Sequence, residues 1–210
     1  GGNDFAFPLY QSLSKIHSSL NISSVDNRFD FGKIDKDFNS NSYMSKIILE
    51  KNNSLNHFCN IGYQTFLNSQ EEMDLLNNLN FEFHRIGKIN RDIQTVEPLL
   101  RETHLLSIDF KSIKASELNF AHNFPNGFEG DHICSISRYA GLSNSVSAIG
   151  FFELLNSSIS NSLLSQAIWY FVEGFCLRIE ENPKSKNFKG YKYNVLCEGT
   201  NLKFYNSELS

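Results

Sequence analysis

Cysteine is scarce and unpaired in this chain of 210 residues: Cys59, Cys134, Cys176 and Cys197 form no Cys-x-x-Cys pair. That spacing gives neither a disulfide framework nor a zinc site, so the four read as reduced core thiols, and a cytoplasmic location follows. Positive charge is also in deficit. Lys and Arg number 19 against 23 Asp and Glu, a formal net charge of −4 that argues against a nucleic-acid surface. Long hydrophobic runs are missing. The longest, Ala167 to Leu177, contains Glu173 and falls well short of the ~20 residues a membrane span needs, so no membrane insertion is expected. The chain opens at Gly1-Gly2 without a Met or a leader pattern, as a tag scar or a cut inside a longer protein would leave it. No internal repeat or low-complexity tract divides it. No Ser-His-Asp or Cys-His arrangement has a supporting context, and Gly127-Phe-Glu-Gly130 lacks the Lys-Ser/Thr of a phosphate loop.

What remains is 40% hydrophobic and 20% charged, the balance of one globular α/β domain over residues 1–210. Leu9, Leu13, Ile16 and Leu20 share a helical face, which predicts a helix from Phe7 to Leu20. Strands are expected at Ile22–Val25, Phe58–Thr65, Phe81–Ile86, Leu105–Phe110 and Ser147–Leu154. Between them stand helical segments: one beginning at Met44, Glu71–Leu79 capped by Ser69, Asp92–Arg101, and Asp131–Ala140 ending at Gly141. Leu163–Ile179 is apolar on most sides, the mark of a largely buried helix. Pro183–Gly190 reads as a basic loop, and Tyr193–Cys197 with Leu202–Tyr205 as a terminal hairpin. Its aromatics, Tyr191, Tyr193, Phe204 and Tyr205, suit core packing or an interface. Strands alternating with helices imply a mostly parallel sheet covered on both faces.

Acids fall at the ends of three of these strands: Asp26 with Asp30, Asp109, and Glu153. In a parallel sheet those ends share one edge, where ligands bind. Converging carboxylates suit a divalent cation such as Mn²⁺, although an isolated Asp also caps turns and helices. Lys111 follows Asp109 at the next alternate position and so faces the same way.

The order of these segments resembles the arginase/agmatinase/formimidoylglutamase (ureohydrolase) family. Gly1-Gly-Asn-Asp-Phe5 is similar to that family's Gly-Gly-Asp-His-Ser turn. Asp26-Asn-Arg-Phe-Asp30 is similar to its Asp-Ala-His-x-Asp segment, and Ser107-Ile-Asp-Phe-Lys111 to its Ser-x-Asp-x-Asp strand end. Pro125-Asn-Gly-Phe-Glu-Gly130 and Ser137-Arg-Tyr-Ala-Gly-Leu-Ser143 look most like the Bacteroidetes-type formimidoylglutamase/arginase-like branch. The resemblance implies a three-layer α/β/α sandwich with a mostly parallel central sheet, lacking the N-terminal third of the family fold. It implies Glu153 as the position that receives a guanidinium. It also implies an ancestral centre in which Mn²⁺ ions activate water.

The departures from the pattern lie in the ligands. Asp26, Asp30 and Asp109 match ligand positions. One His position is deleted or falls on Asp4, the other falls on Arg28, and the last Asp falls on Lys111. Arg offers no lone pair, and an ammonium competes with a dication for the same carboxylates. Arg28 and Lys111 are therefore expected to replace the metals as counter-charges to the three aspartates. His57, His84, His104, His122 and His132 match no ligand position and read as surface or loop residues, with His122 a conceivable compensating ligand; His17 reads as structural. A catalytically degenerate ureohydrolase with a structural or partner-binding role and no cofactor is the first reading. The alternative is a manganese-dependent amidine hydrolase. A homo-oligomer, or another subunit covering an exposed sheet edge, is the expected partner.

Overall fold

The structure, a computed structural model, describes residues 1–32, 38–51, 53–119, 123–179 and 188–208. Its order is α1 (Ala6–Ser14), β1 (Leu20–Val25), α2 (Tyr43–Ile48), β2 (Leu55–Tyr63), α3 (Gln70–Asn78), β3 (Glu82–Arg85), α4 (Ile86–Ile89), α5 (Val96–Leu100), β4 (Leu105–Asp109), α6 (Ala115–Leu118), α7 (Gly130–Leu142), β5 (Ala148–Phe152), α8 (Ser158–Cys176), β6 (Gly190–Cys197) and β7 (Thr200–Ser207). Five strands pair in parallel in the order β3-β2-β1-β4-β5. The chain winds outward from β1 to β3, then returns to the other side of β1 with β4. The β1/β4 pair is thus where the winding reverses, and the crevice beyond such a pair is where ligands sit in open α/β sheets.

Alternation along the strands divides the core into two faces. Ile22, Phe58 and Leu105 point to one cluster, covered by Phe7 and Tyr10 of α1, Met44 of α2 and Leu76 of α3. Val25, Ile61, Leu106 and Ile108 point to the other, covered by Val96 of α5, Ile136 of α7 and Ala167 of α8. Helix layer, sheet and helix layer make the α/β/α sandwich that the alternating pattern predicts. β4 is buried at every position, as a central parallel strand should be.

Local signals explain the boundaries. Ser69 accepts from the backbone N–H of Glu72, whose side chain accepts from the Ser69 N–H, so α3 starts with a complete capping box. The first helix is shorter than its periodicity predicts: it stops at Ser14, and Leu20 opens β1 instead of extending the helical face. Gly141 does not end α7 but lies inside it. A side chain there would collide with the Phe171 carbonyl of α8, and one at Gly174 with the Arg138 carbonyl of α7, so both glycines let the two helices touch through main chain.

α8 is not largely buried: Ile168, Trp169, Val172 and Phe175 are exposed, Trp169 to 60%. The terminal hairpin is present, with Cys197 paired to Thr200 across the turn, but Tyr191, Tyr193, Phe204 and Tyr205 are exposed and pack no core. Cys59 and Cys134 are buried thiols, whereas Cys176 and Cys197 are exposed; all four are free. Residues 183–187 of the basic loop lie outside the described residues. No helix among the described residues is long and apolar enough to cross a membrane.

Candidate functional site at the strand ends

β1 ends at Val25 and delivers Asp26; β4 ends at Asp109; β5 ends at Phe152 and delivers Glu153. The three acid-bearing segments therefore share one edge of the sheet, as their strand-end positions predict. Asp26, Asp30 and Asp109 are buried. Asn3 stands between them. Its Nδ2 donates to Asp26 Oδ2 at 2.9 Å and to Asp30 Oδ2 at 3.0 Å, while its Oδ1 accepts from Ser107 Oγ at 3.0 Å. The second oxygen of Asp26 accepts from the Arg28 backbone N–H at 2.9 Å, and Asp109 Oδ1 accepts from the Lys111 backbone N–H at 2.6 Å. Both are short turns in which an Asp bonds the backbone two residues on.

Burial dominates the electrostatics of this cluster. It pushes Asp26 well above the usual carboxylate range, and the charge of Asp30 adds to the effect. Asp30 rises to about 7 through burial and then the Asp109 charge, while a hydrogen bond from Asp26 and the Asn3 amide pull it partly back. Asp109 is raised by burial and by Asp26, against the opposing N–H and charge of Lys111. Burial and mutual repulsion thus make Asp26 and Asp30 hold their protons more readily than isolated carboxyls do.

The rim is different. Lys111 Nζ lies 2.7 Å from Glu153 Oε2. Burial alone would raise the Glu153 carboxyl, but the Lys111 hydrogen bond and charge outweigh it and hold the group below its ordinary value. Lys111 moves the opposite way: burial lowers it, and the Glu153 bond lifts it above its usual range. Glu153 also accepts from the Asn3 backbone N–H at 3.2 Å, and its own N–H donates to the Gly1 carbonyl at 2.9 Å. Asp30 and Glu153 both have left-handed backbones, with φ of 57° and 56°. That conformation costs a residue with a Cβ on the order of 1 kcal/mol, and such costs gather at sites where a side chain must be aimed.

The expected exchange of metals for basic side chains takes another form here. Lys111 does reach the site, yet its ion pair is with Glu153, not with the aspartates. Arg28 is exposed and donates to the Leu67 carbonyl at 3.3 Å, and no ion pair joins it to a carboxylate among the described residues. The reason is local: the Asp26 turn spends the Arg28 N–H inward, which directs its side chain out. Asn3, not Asp4, is the residue of the opening turn that reaches the aspartates; Asp4 is partly exposed. His122 lies outside the described residues. Asn3 and Ser107 were legible only as neighbours of ligand positions, because an amide or hydroxyl carries no signal of its own until its acceptors are known.

Hard carboxylate oxygens suit Mn²⁺ in kind. In arrangement the match is incomplete. Among the described residues, two sets of three donors bring their ligand atoms within 4.8 Å of one another, and the three aspartates are not one of them. Two of their oxygens are held by the Asn3 amide. Metal-binding groups are thus only partly present, and a two-metal centre with a full ligand shell does not fit the residues as they stand.

The same architecture occurs in solved structures. Formiminoglutamase from Trypanosoma cruzi with Mn²⁺ superposes with a TM-score of 0.75 at 17% identity, over 85% of this chain and 64% of that one. The fold is that of the ureohydrolases. Formimidoylglutamase from Bacillus subtilis gives a TM-score of 0.75 at 16% identity, over 85% of this chain and 60% of its own. Arginase from Medicago truncatula gives 0.64 at 16%, over 83% and 57%. This chain therefore spans less than two thirds of the length of each of these ureohydrolase-fold proteins. No family model matches the sequence, and no curated protein matches it either.

Proposed function

We propose that this ureohydrolase-fold chain, a single domain over residues 1–210, is catalytically degenerate and serves a structural or partner-binding role in the cytoplasm. One observation carries the reading. The ammonium of Lys111 rests on Glu153, the carboxylate that by resemblance receives a substrate guanidinium. A side chain of the protein thus takes the place of a cationic ligand, while Asn3 holds the aspartate oxygens that a metal would need. Function lives in such a site and not in the fold that carries it. The partner is a second copy or another subunit. The outer edges of β3 and β5, unpaired among the described residues, and the exposed apolar row of α8 offer surfaces for it.

The competing reading is a manganese-dependent amidine hydrolase of the formimidoylglutamase or arginase type. It is favoured by the three buried aspartates, whose charged forms are disfavoured by burial and by one another and would be stabilised by a metal. Metal analysis of purified protein, with assays for urea and formamide release in added Mn²⁺, separates the two. The degenerate reading requires no release above buffer. Turnover with about two manganese per chain, the stoichiometry of two-metal hydrolysis, overturns it.

A further inference from the structure

Away from the aspartate pocket, β2 and β3 assemble a second set of donors. The two strands run in parallel with Cys59 opposite Glu82 and Ile61 opposite His84. Side chains alternate along a strand, so His57 and Cys59 share a face of β2, and Glu82 and His84 share the matching face of β3. Ligand atoms of Cys59, Glu82 and His84 all lie within 4.8 Å of one another. His84 Nε2 is 3.3 Å from Glu82 Oε2, and His57 Nε2 is 3.8 Å from Glu82 Oε1. Donors around a tetrahedral zinc ion stand roughly 3.3–3.8 Å apart, given its bond lengths of about 2.0–2.3 Å. A cleft of about 370 Å³ opens on His57, Cys59 and Glu82, so an ion has a way in.

We propose that Cys59, Glu82 and His84 bind a Zn²⁺ ion, while His57, 3.8 Å from the other Glu82 oxygen, stands outside the three-donor group and orients that carboxylate. One thiolate, one imidazole and a carboxylate form a borderline-soft donor set, which selects zinc over the hard cations that carboxylates alone would take. Three protein ligands from two neighbouring strands hold the ion and leave its fourth position to water. Its task is mechanical: β3 is an edge strand of four residues, and a metal shared with β2 staples it to the sheet. The bland alternative is that Glu82 merely accepts from two histidines beside a packed thiol. On that alternative, burial and then the neighbouring Glu82 charge disfavour the Cys59 thiolate. A cation reverses that balance. Binding converts the Cys59 S–H and Zn²⁺ into a Zn–S bond and a released proton, so affinity falls in acid. Cysteine spacing could not reveal such a site, because its donors come from two strands more than twenty residues apart.

Titration of the purified chain with Co²⁺ tests the proposal. Tetrahedral cobalt bound by thiolate gives a near-ultraviolet charge-transfer band and intense visible bands, which carboxylate sites do not. The expected result is about one equivalent of such cobalt, displaced by Zn²⁺. Cys59→Ser should abolish the charge-transfer band. His84→Gln, partly exposed on the edge strand, should weaken affinity by about tenfold or more, and it reads the same site if Cys59→Ser fails to fold. Asp109→Asn should leave the band intact, which separates this site from the aspartate pocket. A missing band in the parent chain, or one that survives either site substitution unchanged, overturns the proposal.

Discussion

Lys111 Nζ and Glu153 Oε2 are 2.7 Å apart at the rim of the aspartate pocket, with the Lys111 side chain half exposed and Glu153 mostly covered. The pair ties the end of β4 to the end of β5. An ion pair open to solvent on one side contributes up to about 1 kcal/mol, so its value to folding is small. On the proposed reading its larger effect is to occupy the carboxylate that a cationic ligand would otherwise take. Lys111→Met should therefore shift the urea midpoint only slightly, and guanidinium ion should bind the variant more tightly than the parent chain. Equal guanidinium response by calorimetry in parent and variant would count against this.

The aspartates set a pH dependence with a definite sign. Folded, Asp30 ionises near 7, against an ordinary 3.8. Between those values the folded chain keeps a proton that the unfolded chain has lost, so stability is full below about 4 and falls as pH climbs to 7. The span corresponds to on the order of 4 kcal/mol if nothing else titrates. Melting temperatures from pH 4 to 8 should decline, and Asp30→Asn should make the decline shallower, Asp26 and Asp109 supplying the rest, and raise the midpoint at pH 8. A level profile in the parent chain would sink the idea.

Asn3 is the hub of the pocket, with two donor bonds to aspartates and one accepted from Ser107. Replacing it by Leu would leave those buried partners without it, at a cost of about 1–3 kcal/mol for each group left unsatisfied. Urea unfolding of Asn3→Leu should show a loss in that range or above it. A loss smaller than that of an ordinary surface substitution would mean that the amide is dispensable.

Gly174 gives a packing test. Its missing side chain lets the Arg138 carbonyl approach, so Gly174→Ala should cost about 1–3 kcal/mol through overpacking, even though Ala is the better helix former. Thermal unfolding decides it, since a propensity effect alone would raise the midpoint.

Layer order, strand sequence and the acids at strand ends were legible because they depend on periodicity and on the parallel topology that it forces. The Ser69 cap needed only four consecutive residues to be seen. Burial of α8 was misread because its apolar residues go nearly all round, and nothing in such a helix says which face is covered. Gly141 looked like a terminator because a helix end and a close helix crossing ask for the same missing Cβ. Arg28 has the right charge at the right place in the sequence, but its direction is fixed by a backbone turn that Asp26 organises. Asn3 was hidden for the converse reason: its importance lies wholly in three partners from distant segments.

The contact of α7 with α8 at Gly141 and Gly174 has a mechanical consequence. Where two rods meet through carbonyls and amides with no flexible side chain between them, sliding or rolling has no soft mode to draw on. The row of Ile168, Trp169 and Val172 is thus presented at a set angle to the sheet, like type on a fixed platen. Whatever meets it must conform to that angle.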